Sequence, residues 1–200
     1  MMKWKYGHIT GVILAGGQCA SDEGANKALL LFDGKPLIQH IAETLQEVFD
    51  KVIVISDHPA DFEFLNLPIF PDIIKDGGPL GDIHSALVNI ETEEAFIVSA
   101  DMPFIRKDVI HYILKMENGA DITIINSEGK LQPFCGIYKS SCILPIAKNY
   151  LRGFISLQSF LNQVTIREIT PDITMQSLVR NALASLSSGK LTSPGLAFAG

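Results

Sequence analysis

The sequence has few cysteines and no metal-binding cysteine pattern. Its three cysteines, Cys19, Cys135 and Cys142, include no Cys-x-x-Cys pair. An odd number without such spacing argues against a disulfide framework, and no cluster in the chain has the ligand spacing of a zinc site. The pattern favours reduced thiols and therefore a cytoplasmic location.

Long apolar runs and an excess of positive charge are also missing. No segment has enough uninterrupted apolar residues to cross a membrane, and the charges of the first ten residues precede no apolar core, so we expect neither a membrane span nor a signal peptide. The formal net charge of −6 argues against a nucleic-acid partner. A single nucleotide remains compatible with this charge, because it needs only a local cationic pocket.

Common catalytic and phosphate-binding motifs are absent as well. No Ser/His/Asp or Cys/His arrangement has a spacing that supports nucleophilic catalysis. The chain has neither the Gly-Lys-Ser/Thr of the P-loop nor the GxGxxG of dinucleotide-binding folds. These absences exclude the most familiar nucleotide-binding proteins and direct attention to other glycine-rich segments.

The sequence does contain an alternation of strand-like and helix-like apolar patterns. Apolar runs predict strands at 12–14, 52–55, 69–70, 95–98, 122–125, 134–138 and 164–169. Apolar residues at helical spacing predict helices at 36–49, 83–90, 109–114, 143–151, 157–161 and 175–186. Such alternation predicts an α/β fold with a parallel sheet covered on both faces. We expect one domain over residues 1–186 and a flexible tail over 187–200.

The loop after the first predicted strand has the composition of an anion site. Gly16 and Gly17 allow the backbone to turn sharply and to approach a bound group. Lys27 then precedes a second apolar segment. Such a loop can surround phosphates with backbone N–H groups and hold them with one cation. For the two glycines alone, a plain tight turn is the alternative interpretation.

Polar residues follow three further predicted strands. They are Asp57 after the second strand, Asp72 after the third and Asp101 after the fourth. Because ligands of open parallel sheets bind outside the carboxyl ends of the strands, we expect these residues to lie along one edge with Gly16. Asp101 is well placed to hold Mg²⁺, with a cap or turn aspartate as the alternative.

A second glycine segment, Gly77-Gly78-Pro79-Leu80-Gly81, precedes the second predicted helix. The N-terminus of that helix can attract an anion, although a loop that simply needs glycine is the alternative. We interpret Asp82 as a first-turn charge that complements the helix dipole and His84 as a surface or groove residue.

Together these segments resemble the molybdenum cofactor guanylyltransferases, which are nucleotidyltransferases. The matching segments are ILAGG at 13–17, KALL at 27–30, GKPLIQH at 34–40, PD at 71–72, GPLG at 78–81, ADMPF at 100–104, and QP at 132–133 followed by CGIY at 135–138. The resemblance runs from about residue 9 to residue 169. It implies a Rossmann-like three-layer sandwich with a mostly parallel central sheet, of the nucleotidyltransferase (glycosyltransferase A-like) type.

The resemblance also implies an activity. Family members transfer GMP from GTP to molybdopterin, form the guanine dinucleotide cofactor and release pyrophosphate, with Mg²⁺ or alternatively Mn²⁺. The implied partners are GTP and molybdopterin, together with cofactor-pathway proteins or apo-molybdoenzymes, and neither nucleic acid nor a membrane.

Residue roles follow from the same resemblance. Lys27 would bind the phosphates and stabilise charge on the leaving pyrophosphate, and Asp101 would hold the metal that bridges the phosphates, so these two are the expected catalytic residues. Asp72 would contact the guanosine part, and Asp57 stands where the family usually has asparagine near the nucleotide. The residues assigned to the nucleotide are Leu14, Ala15, Gly16, Gly17, Lys27, Asp57, Asp72 and Asp101.

Two alternatives to a guanylyltransferase remain open. One is a related enzyme that uses CTP or a sugar phosphate, although the GPLG segment favours the guanylyl branch by resemblance. The other is a degenerate member that binds nucleotide or pterin without turnover. Ser21, Asp22 and Glu23 motivate it, because they replace the usual arginine, methionine and glycine and add negative charge beside a polyphosphate.

Overall fold

A seven-stranded sheet lies at the centre of the computed structural model, which describes residues 5–16, 26–75, 77–154 and 156–184. Its strands are β1 (Tyr6–Leu14), β4 (Phe49–Ile55), β5 (Ile69–Phe70), β6 (Glu94–Ser99), β7 (Ile122–Ser127), β8 (Lys130–Lys139) and β9 (Ile166–Ile169). Two short strands, β2 (Leu31–Phe32) and β3 (Lys35–Pro36), form a separate hairpin. The strand order in the sheet is β5-β4-β1-β6-β8-β7-β9.

One strand of the sheet runs against the others. β8 is antiparallel to both β6 and β7, whereas the remaining neighbours are parallel. The cause is a two-residue turn at Glu128 and Gly129, whose φ angles of 54° and 80° suit a tight hairpin. The alternation predicts a parallel sheet without an exception at β8, so this prediction is corrected there, and the mostly parallel sheet implied by the resemblance is confirmed.

Six α-helices in the described ranges cover the two faces of the sheet. On one face lie α1 (Leu37–Val48), α3 (Lys107–Met116) and α6 (Ile173–Leu183), and on the other lie α2 (Gly78–Asn89), α4 (Ile143–Leu151) and α5 (Leu157–Leu161). Alternate side chains of β1 enter the two cores, Ile13 on the first side and Leu14 on the second. The result is a three-layer sandwich. None of the helices in these ranges is long and apolar enough to span a membrane.

The predicted elements are present with shifted ends. Phe49 starts β4 instead of ending α1, because its backbone is already extended. α6 begins earlier than predicted, at Ile173, because Asp172 caps it by accepting a hydrogen bond from Met175 N at 3.0 Å. The predicted tail over 187–200 lies outside the described residues.

Gly136 is a test of the packing between β8 and β7. A Cβ at this position would lie 2.5 Å from both Ile124 Cγ2 and Thr123 O on the neighbouring strand. Because both strands are in the middle of the sheet, we expect Gly136→Ala to lower the free energy of unfolding by about 2–3 kcal/mol in urea titrations. Gly7→Ala in β1 is the matched control, since its Cβ would meet only the Asp50 carboxylate at 2.8 Å, which can rotate away. Equal losses in the two variants would contradict this explanation.

Candidate functional site

The carboxyl ends of the strands around β1 form one continuous edge. Leu14 is paired in register with Ile55 of β4 on one side and with Ser99 of β6 on the other. Ala15 N donates to Ile55 O at 2.9 Å, so the backbone is held until just before the first loop. The loops after these strands therefore start at one level, as the strand pattern predicts. The residues that this places at the edge are Gly16, Asp57, Asp72 and Asp101.

Lys27 begins the chain segment that follows the first loop. It starts a short 3-10 helix (Lys27–Leu29) whose N-cap is Asn26, which accepts a hydrogen bond from Ala28 N at 3.1 Å. Ala28 is fully buried, so the segment is anchored while the Lys27 side chain is exposed. Lys27 forms no ion pair with any described acid. The remaining loop residues singled out from the sequence, Gly17, Cys19, Ser21, Asp22 and Glu23, lie outside the described residues.

Asp101 lies in the turn after β6. Ala100 N donates to Leu14 O at 2.9 Å and Met102 N donates to Ser99 O at 3.2 Å, which fixes the turn against β1. Asp101 Oδ1 is buried and has no hydrogen-bond partner among the described residues. Burying a carboxylate oxygen without a donor is costly, so this atom is a ready ligand for a cation.

An aromatic contact connects the Lys27 segment with the Asp101 turn. Phe32, in the hairpin after Lys27, packs edge to face on Phe104, three residues after Asp101, with ring centroids 5.3 Å apart. His40 Nε2 donates to Phe32 O at 2.9 Å and fixes the hairpin on α1. Such an aromatic pair contributes about 0.5–1.5 kcal/mol beyond its buried area. The two expected catalytic residues therefore project from segments that support each other.

Asp57 organises the loop that carries Asp72. It accepts hydrogen bonds from Lys75 Nζ and from Asp72 N, the latter at 3.0 Å. The Lys75 ammonium, followed by the Asp72 amide, holds the pKa of Asp57 below its usual value despite the opposing effect of burial. Asp57 is thus bound to the loop itself, at the sheet edge where the nucleotide was expected.

Two carboxyl groups converge on Gly16. A Cβ at Gly16 would lie 3.3 Å from Asp72 Oδ2 and 3.3 Å from Asp82 Oδ1, so only glycine leaves this space open. Burial, followed by the charge on Asp72, raises the pKa of Asp82 to about 7. Burial and then the charge on Asp57 raise the pKa of Asp72 as well. At neutral pH, Asp82 therefore keeps its proton more readily than an ordinary aspartate does.

The interpretation of Asp82 and His84 from the sequence was wrong in both cases. The first turn of α2 contains no acid, and Asp82 lies just beyond it with its carboxyl group beside Asp72. His84 is buried on the side of α2 that packs into the protein, with only 8% of its surface exposed. Burial lowers its pKa, so the ring is neutral at pH 7. The sequence signal that could have found Asp82 is its place directly after the second glycine segment.

The second glycine segment forms the start of α2. Gly78 has a φ of +54°, a conformation that favours glycine, and it is the first residue of the helix. The N–H groups of Gly78 and Leu80 belong to the first turn, where a helix has no internal acceptors for them. They are therefore donors suited to an anion or to polar atoms of a ligand.

The charges at this edge restrict what can bind there. Within the described residues, no group of three or more His, Cys, Asp and Glu side chains could hold a metal ion by itself. A cation at Asp101 would thus need further oxygen ligands, which phosphates and water can supply. The arrangement suits a ligand that brings both a phosphate chain and hydrogen-bond donors for the buried carboxylates.

The sheet is open and mostly parallel, a glycine follows β1, and a carboxylate without a hydrogen-bond donor follows β6. This arrangement is typical of a nucleotide-binding α/β protein. The chain belongs to the family of the MobA-like NTP transferase domain, whose model matches residues 11–166, and it is therefore a nucleotidyltransferase. The family recognised from the motifs is confirmed.

Individual relatives agree with this assignment. The chain is 38% identical over 133 residues to the "Probable molybdenum cofactor guanylyltransferase" of Clostridium perfringens. The aligned region covers 66% of this chain and 67% of that protein. It is 29% identical over 163 residues to the "Molybdenum cofactor guanylyltransferase" of Desulfosudis oleivorans, with 81% of each chain covered. The molybdopterin-guanine dinucleotide biosynthesis protein A from Archaeoglobus fulgidus has the same fold, with a TM-score of 0.73, 18% identity, and coverage of 88% of this chain and 91% of that one.

The raised pKa of Asp82 predicts a pH-dependent cost in stability. In the unfolded chain this carboxyl titrates near pH 4, whereas in the folded protein its pKa is about 7. The stability associated with its proton is therefore present at acid pH and is lost as the pH rises from about 4 to about 7. Asp82→Asn removes this loss. Its free energy of unfolding should therefore equal that of the wild type near pH 4.5 and exceed it by about 1–2 kcal/mol at pH 8, after allowance for solvent screening.

Urea unfolding at the two pH values measures this difference. Asp61→Asn, at an exposed aspartate, is the matched control and should show no such pH dependence. A difference between wild type and Asp82→Asn that is the same at both pH values would contradict the assignment.

Proposed function

We propose that the protein transfers GMP from GTP to molybdopterin, forms the guanine dinucleotide form of the cofactor and releases pyrophosphate. The observation that carries the proposal is the buried Asp101 oxygen without a donor, at the end of β6 and next to the glycine loop of β1. The family membership and the names of the relatives support the choice of nucleotide and acceptor.

The proposed nucleotide site runs over the end of β1. Leu14 and Ala15 are held by their hydrogen bonds to the neighbouring strands, and Gly16 has no side chain to keep a nucleoside away from the backbone. Gly17, the next residue in the sequence, is assigned to the nucleotide by the resemblance. Asp72 Oδ1 is buried and lacks a donor among the described residues, and the ribose hydroxyls and guanine N–H groups can supply one. Asp57 contributes to the site indirectly, because it accepts a hydrogen bond from Asp72 N and so holds the loop that carries Asp72.

Asp101 is the proposed ligand of the divalent metal. Mg²⁺ is usually bound in such sites by one or two carboxylates together with substrate phosphates and water, which fits a single orphan carboxylate. Mn²⁺ also prefers oxygen ligands and is the expected substitute. When bound, the metal neutralises charge on the phosphate chain.

The chain's own contribution to the reaction is positioning and charge stabilisation. An oxygen of the terminal phosphate of molybdopterin attacks the α-phosphorus of GTP, and the bond between this phosphorus and the bridging oxygen to the β-phosphate breaks. Lys27 is the residue that we propose stabilises the charge that develops on the leaving pyrophosphate. The attacking phosphate is already ionised at neutral pH, so the reaction needs no strong general base.

We also infer a cytoplasmic location and transfer of the product to proteins of the same cofactor pathway or to apo-molybdoenzymes. Cys135 and Cys142 are free and buried, and burial raises the pKa of each thiol to about 12. Unreactive free thiols are consistent with a reducing compartment. The nucleotidyltransferase domain is proposed to span residues 1–186, of which 11–166 match the family model.

The expected catalytic residues are tested by pyrophosphate release. Purified protein with Mg²⁺, molybdopterin and GTP should release pyrophosphate, and Asp101→Asn and Lys27→Ala should each lower kcat/KM by about 10²- to 10⁴-fold. Asp108→Asn and Lys115→Ala, two exposed positions on α3, are matched controls that should stay within about twofold of the wild type.

The other nucleotides separate the alternatives. Release with CTP in place of GTP would assign the protein to the cytidylyl branch. No release with GTP, CTP or ATP from folded protein supplied with molybdopterin would favour a binding protein without turnover. Full activity in Asp101→Asn would show that the active-site assignment is wrong.

A further inference from the structure

We propose that Tyr150, on α4, is a positioning residue for the nucleotide, because its hydroxyl holds the Gly77–Gly81 turn that opens α2. The inference rests on the proposed function, since it concerns how this turn is kept in shape to receive GTP. Tyr150 lies 73 residues after Gly77 in the chain, and no sequence motif connects the two.

The hydroxyl of Tyr150 forms a specific contact with the turn. Tyr150 Oη donates a hydrogen bond to Gly77 O, and the same carbonyl accepts from Gly81 N at 3.2 Å, so it is held from two directions. Burial, followed by the charge on Asp82, raises the pKa of Tyr150. The hydroxyl therefore keeps its proton at neutral pH and remains a donor.

The same contact explains why two glycines flank this turn. A Cβ at Gly77 would lie 2.7 Å from Tyr150 Oη and 2.7 Å from Ile74 O, and a Cβ at Gly81 would lie 3.3 Å and 3.1 Å from the same atoms. Gly77 has a φ of −74°, which any residue can adopt. Its lack of a side chain is thus required by the space that Tyr150 and Ile74 occupy, and not by its backbone conformation.

The turn held by Tyr150 leads directly into the proposed nucleotide site. At its other end, Ser85 Oγ accepts from Ile73 N and donates to Gly81 O, both at 2.9 Å. Between these anchors lie the first-turn N–H groups of α2, and Asp82 follows with its carboxyl group against Gly16. Without the Tyr150 hydroxyl, one anchor is lost, and the nucleotide must order the turn when it binds.

Removing the hydroxyl alone tests the proposal. We expect Tyr150→Phe to raise both the KM and the Kd for GTP by about three- to tenfold, with kcat within about twofold and the KM for molybdopterin unchanged. A general loss of structure would instead lower Tm and the active fraction, without a selective effect on GTP. Tyr112→Phe, on α3 at the opposite face of the sheet, is the matched control and should leave all of these quantities unchanged.

Gly81→Ala tests the contact from the other side and does not depend on folding of the tyrosine variant. Its Cβ would lie 3.1 Å from Ile74 O and 3.3 Å from Tyr150 Oη, so it crowds both groups that confine the turn, and a selective rise in the KM for GTP is expected here too. In the double variant with Tyr150→Phe, the two effects should be less than additive, because the part of the Gly81→Ala effect that comes from crowding the hydroxyl is absent once the hydroxyl is removed. Additive effects, or a KM for GTP that Gly81→Ala leaves unchanged, would overturn the proposal.

Failure of this inference and failure of the proposed function give different results. If wild type and Tyr150→Phe bind GTP equally well with equal KM, the role of Tyr150 is overturned and the guanylyltransferase function stands. If the wild type neither binds nor uses GTP, the proposed function is overturned, and the role of Tyr150 in it is overturned as well.

Discussion

The common register of β4, β1 and β6 is the constraint on which the rest of the structure depends. Leu14 pairs with Ile55 and Ser99 at the same level, and the hydrogen bonds of Ala15 and Ala100 extend this alignment by one residue. Loops that start at one level can present side chains to one ligand. A shift of one strand by one residue would turn its side chains to the opposite face and separate the parts of the site.

The site combines negative charge with few compensating cations among the described residues. Lys75 compensates Asp57, whereas Asp72, Asp82 and Asp101 keep buried or partly buried oxygens without such a partner. Leaving carboxylates in this state costs stability, and proteins tolerate such costs mainly at functional positions. This cost is offset when a nucleotide and its metal supply hydrogen-bond donors and positive charge to the same oxygens. The fold therefore carries an electrostatic cost that its ligand removes.

Much of the fold could be predicted because its signals are local. The apolar runs of β1 and β4 and the helical spacing in α1 are read within a dozen residues, and the rule for parallel sheets then places Asp101 at the edge beside Gly16. Tyr150 could not be found in this way, because its contact with Gly77 joins residues 73 apart in the chain. The place of Asp82 after the second glycine segment is a local signal, but its proximity to Gly16 and Asp72 is not. The burial of His84 depends on which face of α2 meets the protein, and periodicity alone does not identify that face. The roles of Lys27 and Asp101 came from the resemblance, not from spacing.

The pairing of β1 with β6 also affects how the chain acquires its binding capacity. Leu14 and Ser99 are separated in the chain by α1, β4, β5 and α2, so their pairing closes a long loop. The β7–β8 hairpin, in contrast, closes through a two-residue turn. Local hairpins form early and cheaply, and pairings between distant segments form late. We therefore expect the nucleotide edge to form after the β7–β8 hairpin, because its pairing must close a longer loop. A chain in which β1 and β6 have not paired lacks this edge, so nucleotide binding would report that the central strands have paired.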